Sequence, residues 1–226
     1  MTRIHRFNRL PHPKAWLPIS VFSVVLALVA GLAGTNQGFL TNEFQINKAL
    51  NASGGVVANG LADFMSNIYS PKFAIIIALV AMLLIWIFGK SSLDAVAFGG
   101  TIAFGWLPAE AFKIIFNEPR ASIADLVNKV GAQEVDSSFP SGHVCYAIAI
   151  GFALYYLARN TKYSYLVLAF WIVSVLLEAW ARLYVGAHYL SDELGSLFTT
   201  TVGILIFAYL WNRWLSQKLQ SYKFFA

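Results

Sequence analysis

The sequence has few charged residues and almost no cysteine. Only 12% of its 226 residues are charged and 58% are hydrophobic, whereas a soluble domain is nearer a quarter charged and half apolar. Cys145 is the only cysteine, so no internal disulfide can form and cysteine usage does not indicate a redox compartment. Internal repeats and low-complexity tracts are also missing. This composition excludes a soluble globular domain, a disulfide-stabilised scaffold and a repeat protein.

The chain contains instead a series of apolar runs separated by short polar breaks. A membrane-spanning helix needs about 20 predominantly apolar residues. Six such runs can be drawn, and the first is too long for the core of a cleavable signal peptide, so we expect it to be retained. The expected fold is all-α: a six-transmembrane-helix bundle that forms one integral membrane domain over residues 1–226. The six predicted spans are Trp16–Ala33, Tyr69–Phe88, Leu93–Phe116, His143–Ala158, Tyr163–Leu183 and Asp192–Trp211.

The distribution of basic residues predicts the orientation of the bundle. The net charge is +5, and with six spans ten lysines and arginines fall on the side of both termini, against six on the other side. An excess of positive charge marks the cytoplasmic side, so both termini are expected in the cytoplasm of a cell whose plasma membrane holds the protein. The excess therefore indicates topology rather than nucleic-acid binding. The ten residues are Arg3, Arg6, Arg9, Lys14, Lys90, Arg159, Lys162, Arg213, Lys218 and Lys223.

The first outer loop, residues 35–68, contains an amphipathic segment. Five large apolar residues recur there at helical spacing and share one face. This pattern predicts a short amphipathic helix that lies at the membrane interface. Such a helix could be a lid on the bundle or an element through which lipid enters. The five residues are Val57, Leu61, Phe64, Met65 and Ile68.

Ionisable side chains cluster at the ends of the third to sixth predicted spans, which all face the outer side. Charge at membrane depth is costly and usually functional. Three cations brought together call for a multiply charged anion, and arginine matches phosphate oxygens well. A Pro-Ser-Gly turn also begins a helix there, and free N–H groups at a helix start attract anions. The pattern predicts an extracytoplasmic phosphate pocket, with candidate residues Lys113, Arg120, Ser141, Gly142, His143, Arg182, His188 and Asp192.

Two histidines in this group suit complementary chemical roles. His188 and Asp192 are four residues apart and share a helix face. A carboxylate in that position can keep one imidazole nitrogen protonated and leave the other free as a nucleophile. His143 is then available as a general acid for the leaving oxygen. This division of roles needs no metal and no other cofactor.

Each of these residues also has a structural interpretation. His143 alone fits a helix-capping histidine, and Lys113 and Arg182 alone fit snorkelling anchors. Glu110 precedes Lys113 by three residues and Glu178 precedes Arg182 by four, which are spacings that allow local ion pairs. We expect these two glutamates to support the pocket by aiming its cations. The ordered combination favours a functional site.

Three motifs carry a resemblance to a known family. "KIIFNEPR" (113–120), "PSGH" (140–143) and "RLYVGAHYLSD" (182–192) resemble, in that order, the signature of the type 2 phosphatidic acid phosphatase superfamily. The resemblance implies a six-helix membrane lipid phosphatase in which His188 forms a phosphohistidine, Asp192 orients it and His143 is the acid. It also implies which residues hold the phosphoryl group: Lys113, Arg120, Ser141, Gly142 and Arg182.

Two positions depart from the family pattern. Ala121 stands where proline is usual, and Ala181 stands where serine is usual. Neither change removes a charge or an imidazole. We therefore expect them to affect the rate rather than the type of reaction.

The resemblance to small bacterial members favours one substrate, undecaprenyl diphosphate, hydrolysed to undecaprenyl phosphate at the outer leaflet. Phosphatidate or phosphatidylglycerophosphate is the second candidate. A lipid phosphotransferase would use the same phosphohistidine, and a lipid-binding or transport protein would keep only the anion pocket. The intact set of His188, Asp192 and His143 argues against mere binding. The expected partners are the bilayer and a lipid phosphate, without nucleic acid; the oligomeric state is left open.

Overall fold

The computed structural model describes residues 7, 9–131 and 134–222, and this part of the chain is helical, without strands. The all-α prediction is therefore confirmed. A 3₁₀ turn at Ile123–Asp125 lies in the long loop before α6, and a π-helical turn at Trp211–Leu215 joins α8 to α9. The helices are α1 (Trp16–Ala33), α2 (Gln37–Ala52), α3 (Val56–Ile68), α4 (Pro71–Gly89), α5 (Ser92–Phe116), α6 (Gly142–Ala158), α7 (Ser164–Tyr184), α8 (Leu190–Leu210) and α9 (Ser216–Gln220).

Five helical segments of the described chain are long and apolar enough to cross a membrane. They are Trp16–Ala33, Pro71–Gly89, Ser92–Phe116, Ser164–Tyr184 and the continuous segment Leu190–Gln220. The fourth predicted span corresponds to α6, which is apolar but has only 17 residues. At 1.5 Å per residue, α6 is about 25 Å long. The protein is thus a multi-pass membrane protein, and a sixth span remains a prediction.

The predicted span boundaries differ from the ends of the corresponding helices by at most two residues, and local capping decides where each helix begins. Pro71 occupies the first turn of α4, where its missing N–H costs nothing. The Ser91 side chain accepts the N–H of Asp94 at the start of α5. At the start of α8 the Asp192 side chain accepts the N–H of Tyr189. Hydropathy alone does not predict these contacts at the helix starts.

Helix α6 lies at the centre of the bundle and packs against α5, α7 and α8. Small residues such as Ala147, Ala149 and Ala153 are buried on it, which lets the neighbouring helices approach closely. In contrast, the outer faces of α1, α4 and α7 expose large apolar side chains, among them Phe22 and Phe170. Such faces suit lipid rather than water.

The end of the bundle away from the candidate pocket is fastened by the chain before α1. Phe7 is fully buried, and its N–H donates to Asp94 Oδ1 at 2.9 Å. Its carbonyl accepts from Trp211 Nε1 at 2.8 Å. Arg3, Arg6 and Lys223, which contribute to the predicted charge bias, lie outside the described residues.

The first outer loop contains two helices, of which the sequence predicted one. The predicted amphipathic helix corresponds to α3, which packs on α7 through Ala62 and Met65. The large apolar residues of α3 differ in exposure: Val57 and Phe64 are exposed, whereas Met65 is buried. Helix α2 was not predicted from the sequence, and two of its four buried residues are asparagines, Asn47 and Asn51, which interrupt the apolar pattern of its inner face. Whether α3 lies in a membrane interface stays a prediction.

Helix α2 anchors the connection between α7 and α8. The side-chain amide of Asn47 donates to the carbonyls of Leu183 and His188, at 2.9 and 2.8 Å. The amide of Asn51 donates to the carbonyl of Tyr184 at 2.9 Å. Both asparagines are fully buried. Helix α2 thus supplies hydrogen-bond donors to buried backbone carbonyls at the end of α7 and in the connection that follows it.

Gly203 in α8 is required where α8 meets α5. Pro108 lies inside α5 and cannot donate to the carbonyl of Phe104 four residues earlier. The backbone of Gly203 closes over that carbonyl, and a Cβ at Gly203 would lie 1.8 Å from the Phe104 oxygen. The two helix backbones therefore touch at this point.

We predict that Gly203→Ala destabilises the bundle by about 1–3 kcal/mol, because the added methyl group must push two helix backbones apart. Thermal unfolding in detergent should show a melting temperature several degrees below that of the wild type. Gly60→Ala is the matched control, since a Cβ there has no neighbour within 4 Å. Equal melting temperatures for wild type and Gly203→Ala would contradict the close contact.

Candidate active site

The predicted site residues lie together at one end of the bundle. The C-terminal ends of α5 and α7 and the N-terminal ends of α6 and α8 surround a cavity of about 420 Å³. Ser141, fully buried, caps α6 at the back of the cavity by accepting the N–H of Val144. The predicted residues that line the cavity are Glu110, Lys113, Arg120, Gly142, His143, Arg182 and His188.

The connection between α7 and α8 presents His188 to the cavity. Its Nδ1 lies 3.1 Å from Asp192 Oδ2, in the first turn of α8. The same oxygen accepts from Ser138 Oγ at 2.6 Å and from the N–H of Tyr189 at 2.9 Å. The other ring nitrogen, Nε2, lies 3.1 Å from Arg120 Nη1. The ring is thus fixed through Nδ1 and directs Nε2 towards the cavity.

Burial keeps the His188 ring neutral. The side chain is 1% exposed, and loss of hydration lowers its pKa well below the ordinary value of 6.5. The positive charges of Arg120, Arg182 and Lys113 lower that pKa further. At neutral pH Nε2 therefore carries a lone pair rather than a proton, as a nucleophile requires, and in this structure that lone pair faces Arg120 Nη1.

His143 lines the same cavity as His188 but belongs to a different part of the chain. It stands in the first turn of α6, is 8% exposed and lines the cavity. It also makes a hydrogen bond to the backbone of Ser66, so α3 forms part of the wall of the site. Its imidazole and that of His188 each offer a nitrogen within 4.8 Å of the other. A single small group can therefore contact both rings.

Two acidic residues neutralise the cations, and neither was predicted from the sequence. Glu134 pairs with Arg182 Nη2 and, at 2.7 Å, with Arg120 Nη2. Asp136 accepts from Lys113 Nζ and from Arg120 Nη2, both at 2.8 Å. Buried cations need such partners because an unpaired charge away from water is costly. The only signal in the sequence is that both acids lie in the loop between the motif KIIFNEPR and the motif PSGH.

Asp136 is ionised by these contacts. Burial opposes ionisation, but the hydrogen bond from Lys113 and the charge of Arg120 outweigh it and lower the Asp136 pKa. The cation cluster thus holds carboxylates at the place where the sequence predicts a phosphate. Both groups are anionic and accept several hydrogen bonds, so the cluster selects anions by its charge.

The support of the cations predicted for Glu110 and Glu178 stays a prediction, although the structure gives these cations other ion-pair partners. Neither forms an ion pair within the described part of the chain, because Lys113 pairs with Asp136 and Arg182 pairs with Glu134. Glu178 is fully buried and lies close enough to Arg182 for their charges to interact. Helical spacing predicted these pairs, but a loop that packs across the helix ends supplies the actual partners.

Ala121 and Ala181, which replace the usual proline and serine, lie in apolar surroundings. Ala121 packs with Leu40 and Tyr189, and Ala181 packs with Met65 and Tyr184. Both are buried. Their methyl groups therefore serve the packing of α2 and α3 beside the site.

Among the described residues, one set could hold a metal ion: Glu134, His143 and His188. Glu134 is already shared by two arginines, and their positive charges oppose a second cation. The same surroundings favour an anion. The donor set therefore fits a phosphate better than a metal.

A second cavity, of about 390 Å³, lies between α4 and α5 and is lined by apolar side chains. Ala78, Met82 and Ile102 contribute to it, and Tyr146 closes it from α6. Trp106 lines both this cavity and the charged one. A charged cavity next to an apolar one fits a molecule with an anionic headgroup and a hydrocarbon tail.

Comparisons with known proteins agree with this geometry. The family model described as the PAP2 superfamily matches residues 94–216. The undecaprenyl-diphosphatase BcrC of Bacillus subtilis (strain 168) is 32% identical over 145 residues, which cover 63% of this chain and 72% of that protein. YbjG of Escherichia coli (strain K12) is 25% identical over 164 residues, which cover 69% of this chain and 78% of that protein.

A solved structure shares the fold. It is the crystal structure of a transmembrane PAP2-type phosphatidylglycerolphosphate phosphatase from Bacillus subtilis, with a TM-score of 0.72 and 17% sequence identity. The likeness covers 90% of this chain and 98% of that chain. At this identity the likeness shows the helical architecture alone.

We predict that any phosphoryl transfer through His188 keeps its rate down to pH 6.5 and loses it only in more acidic solution, because the lowered pKa leaves Nε2 unprotonated at neutral pH. The pH profile of kcat/KM measures this limit. Lys113→Gln removes one of the charges that lower this pKa and should move the acid limb to higher pH. Lys162→Gln, at the other end of the bundle, should leave it in place. An acid limb at or above pH 6.5 in the wild type would contradict the assignment.

Proposed function

Because this chain belongs to the PAP2 superfamily and is a membrane lipid phosphatase, we propose that it hydrolyses undecaprenyl diphosphate to undecaprenyl phosphate at the outer leaflet. The observation that carries the proposal is a neutral, oriented His188 that shares a cation-lined cavity with His143. The choice of lipid is supported by the relative named undecaprenyl-diphosphatase, at 32% identity.

The terminal phosphoryl group enters the cation cluster first. Its oxygens take the hydrogen bonds of Lys113, Arg120 and Arg182, which the carboxylates of Glu134 and Asp136 now accept. The terminal phosphoryl group carries up to two negative charges, as the two carboxylates together do, so the cations remain matched by negative charge after the exchange. The α6 N-terminus, at Ser141 and Gly142, contributes free N–H groups on the same side.

The chemical step then needs no cofactor. His188 Nε2 attacks the terminal phosphorus, and the bond between that phosphorus and the bridging oxygen breaks. His143, protonated once the anionic headgroup is bound beside it, donates this proton to the bridging oxygen as undecaprenyl phosphate leaves. Asp192 stabilises the positive charge of the phosphorylated ring through Nδ1. Water next attacks the phosphohistidine, His143 accepts a proton, and inorganic phosphate is released.

The apolar cavity supports a lipid substrate. A prenyl tail that lies between α4 and α5 is next to Trp106, which also borders the phosphate cavity. The headgroup can thus reach His188 while the tail stays among apolar side chains. This arrangement is equally suited to a glycerolipid tail, so the tail cavity alone does not select undecaprenyl diphosphate.

Two alternatives use the same site. Phosphatidate or phosphatidylglycerophosphate hydrolysis is suggested by the structural neighbour, whose title names a phosphatidylglycerolphosphate phosphatase. A lipid phosphotransferase would pass the phosphoryl group from His188 to a sugar or lipid alcohol in place of water. Product analysis separates these reactions, since only hydrolysis yields inorganic phosphate.

We expect purified protein in detergent to release phosphate from undecaprenyl diphosphate faster than from phosphatidate or phosphatidylglycerophosphate, with EDTA present. His188→Asn should lower the rate by roughly 10³-fold or more, because the nucleophile is lost. His12→Asn is the matched control, since His12 stacks on Trp16 and Tyr209 away from the site. Loss of activity with EDTA would contradict the metal-free mechanism, and preference for another lipid would reassign the substrate.

We further propose that α6 is the sixth span of a single domain in the cell membrane, with both termini cytoplasmic and the cavity outside. The motif-bearing ends of α5 to α8 then face outward, where the headgroup of an outer-leaflet lipid lies. The short connection between α6 and α7 faces the cytoplasm. The basic residues near that connection, Arg159 and Lys162, support this orientation.

An impermeant thiol reagent tests the orientation, since the one native cysteine, Cys145, is buried. Val127→Cys introduces a thiol in the loop between α5 and α6, where Val127 is 75% exposed. Asn160→Cys introduces an exposed thiol in the connection between α6 and α7. We expect intact cells to label the first variant, and to label the second only after permeabilisation. The reverse pattern would invert the topology.

A further inference from the structure

One carboxylate oxygen in the catalytic pair has no donor in the described structure. Asp192 is fully buried, and its Oδ2 receives all three donors: Ser138 Oγ, the N–H of Tyr189 and His188 Nδ1. Its Oδ1 is equally buried and has no hydrogen-bond partner among the described residues. An unsatisfied buried carboxylate oxygen is costly. A donor to Oδ1 is therefore expected.

The side chain in position to supply that donor is Glu118. It follows α5 by two residues, is 2% exposed, and neither of its carboxyl oxygens has a donor among the described residues. Its carboxyl group lies within hydrogen-bond reach of Asp192. Two carboxyl groups in contact share a hydrogen bond only when one of them is protonated.

The position of Glu118 is fixed by the surrounding backbone. A Cβ at Gly34, just after α1, would lie 1.7 Å from Glu118 Oε2, so the carboxyl group packs directly against that glycine. The carbonyl of Glu118 accepts the N–H of Ser138 at 2.9 Å. Ser138 in turn donates to Asp192. The backbone of residue 118 therefore holds Ser138, which contacts both Asp192 and His188, in place.

The charges around Glu118 keep it protonated. Burial raises its pKa most, the charges of Asp192 and Glu43 raise it further, and Lys113 lowers it, with a resulting pKa of about 9. Tyr189 also faces Glu118. At neutral pH the Glu118 carboxyl group is thus a neutral acid with one O–H to donate.

We infer that Glu118 is a positioning residue for the reaction: its neutral carboxyl group donates a hydrogen bond to Asp192 Oδ1 and keeps Oδ2 directed at His188. The inference rests on the proposed attack by His188. When Glu118 loses its proton, Asp192 loses this donor and gains a neighbouring negative charge. The pair that orients His188 is then disturbed, and the reaction slows in alkaline solution.

Steady-state kinetics on undecaprenyl diphosphate test this role. Glu118→Ala should lower kcat on the order of tenfold, as loss of groups that orient reactive histidines does, with KM within about twofold of the wild type. Glu118→Gln keeps an N–H donor and cannot titrate, so it should restore kcat at pH 7 to within about threefold and abolish the alkaline limb near pH 9. An unchanged alkaline limb in Glu118→Gln would overturn the inference.

Glu43→Gln is the matched control. Glu43 is a second carboxylate near Glu118, but it contacts Ser191 and not the His188 ring. This variant should keep the alkaline limb, shifted only towards lower pH because a charge that raises the Glu118 pKa has been removed. A limb that disappears in Glu43→Gln would assign the titration to Glu43 and overturn the inference.

Infrared spectroscopy tests the protonation without any substrate. The difference spectrum between wild type and Glu118→Gln at pH 7 should contain the C=O stretch of a protonated carboxylic acid, and that band should vanish above pH 9. Absence of the band at pH 7 would refute the neutral carboxyl group. If the lipid is not hydrolysed but the band is present, the proposed substrate fails and the protonated Glu118 stands.

Discussion

Three cations buried at one end of a membrane bundle must be matched by negative charge, and the rest of the site depends on this requirement. Lys113, Arg120 and Arg182 are each less than a tenth exposed in their side chains. Two loop carboxylates meet the requirement here, and the headgroup of a lipid phosphate meets it in the proposed complex. The same cations help to keep His188 neutral. The cations that bind the anion therefore also reinforce the effect of burial, which keeps the histidine unprotonated.

Much of the architecture can be predicted from sequence because its causes are local or topological. Apolar length locates the spans, and caps such as Ser91 before α5 adjust their ends by one or two residues. Once the spans alternate in direction, the motif-bearing ends must lie on one side of the bundle. The convergence of Lys113, His143 and His188 on a single cavity follows from that alternation alone.

The features that could not be predicted depend on tertiary contacts, which leave no periodic pattern in the sequence. Glu134 and Asp136 lie in an irregular loop, and only its packing across the helix ends brings them to the cations. The local spacing of Glu110 and Glu178 suggested partners that this loop replaces. Helix α2 contributes through its buried asparagines, whose side-chain amides donate hydrogen bonds to backbone carbonyls far away in the sequence. Hydropathy and motif spacing do not predict such tertiary contacts.

The amide of Asn47 joins two carbonyls, one at the end of α7 and one at His188. Spans tilt when a bilayer becomes thinner or thicker, and such tilting would normally alter the distance between the end of one span and a loop that leads to the next. A single side chain that holds both carbonyls fixes that distance directly. A change in the tilt of α7 would therefore carry His188 along with the end of that helix.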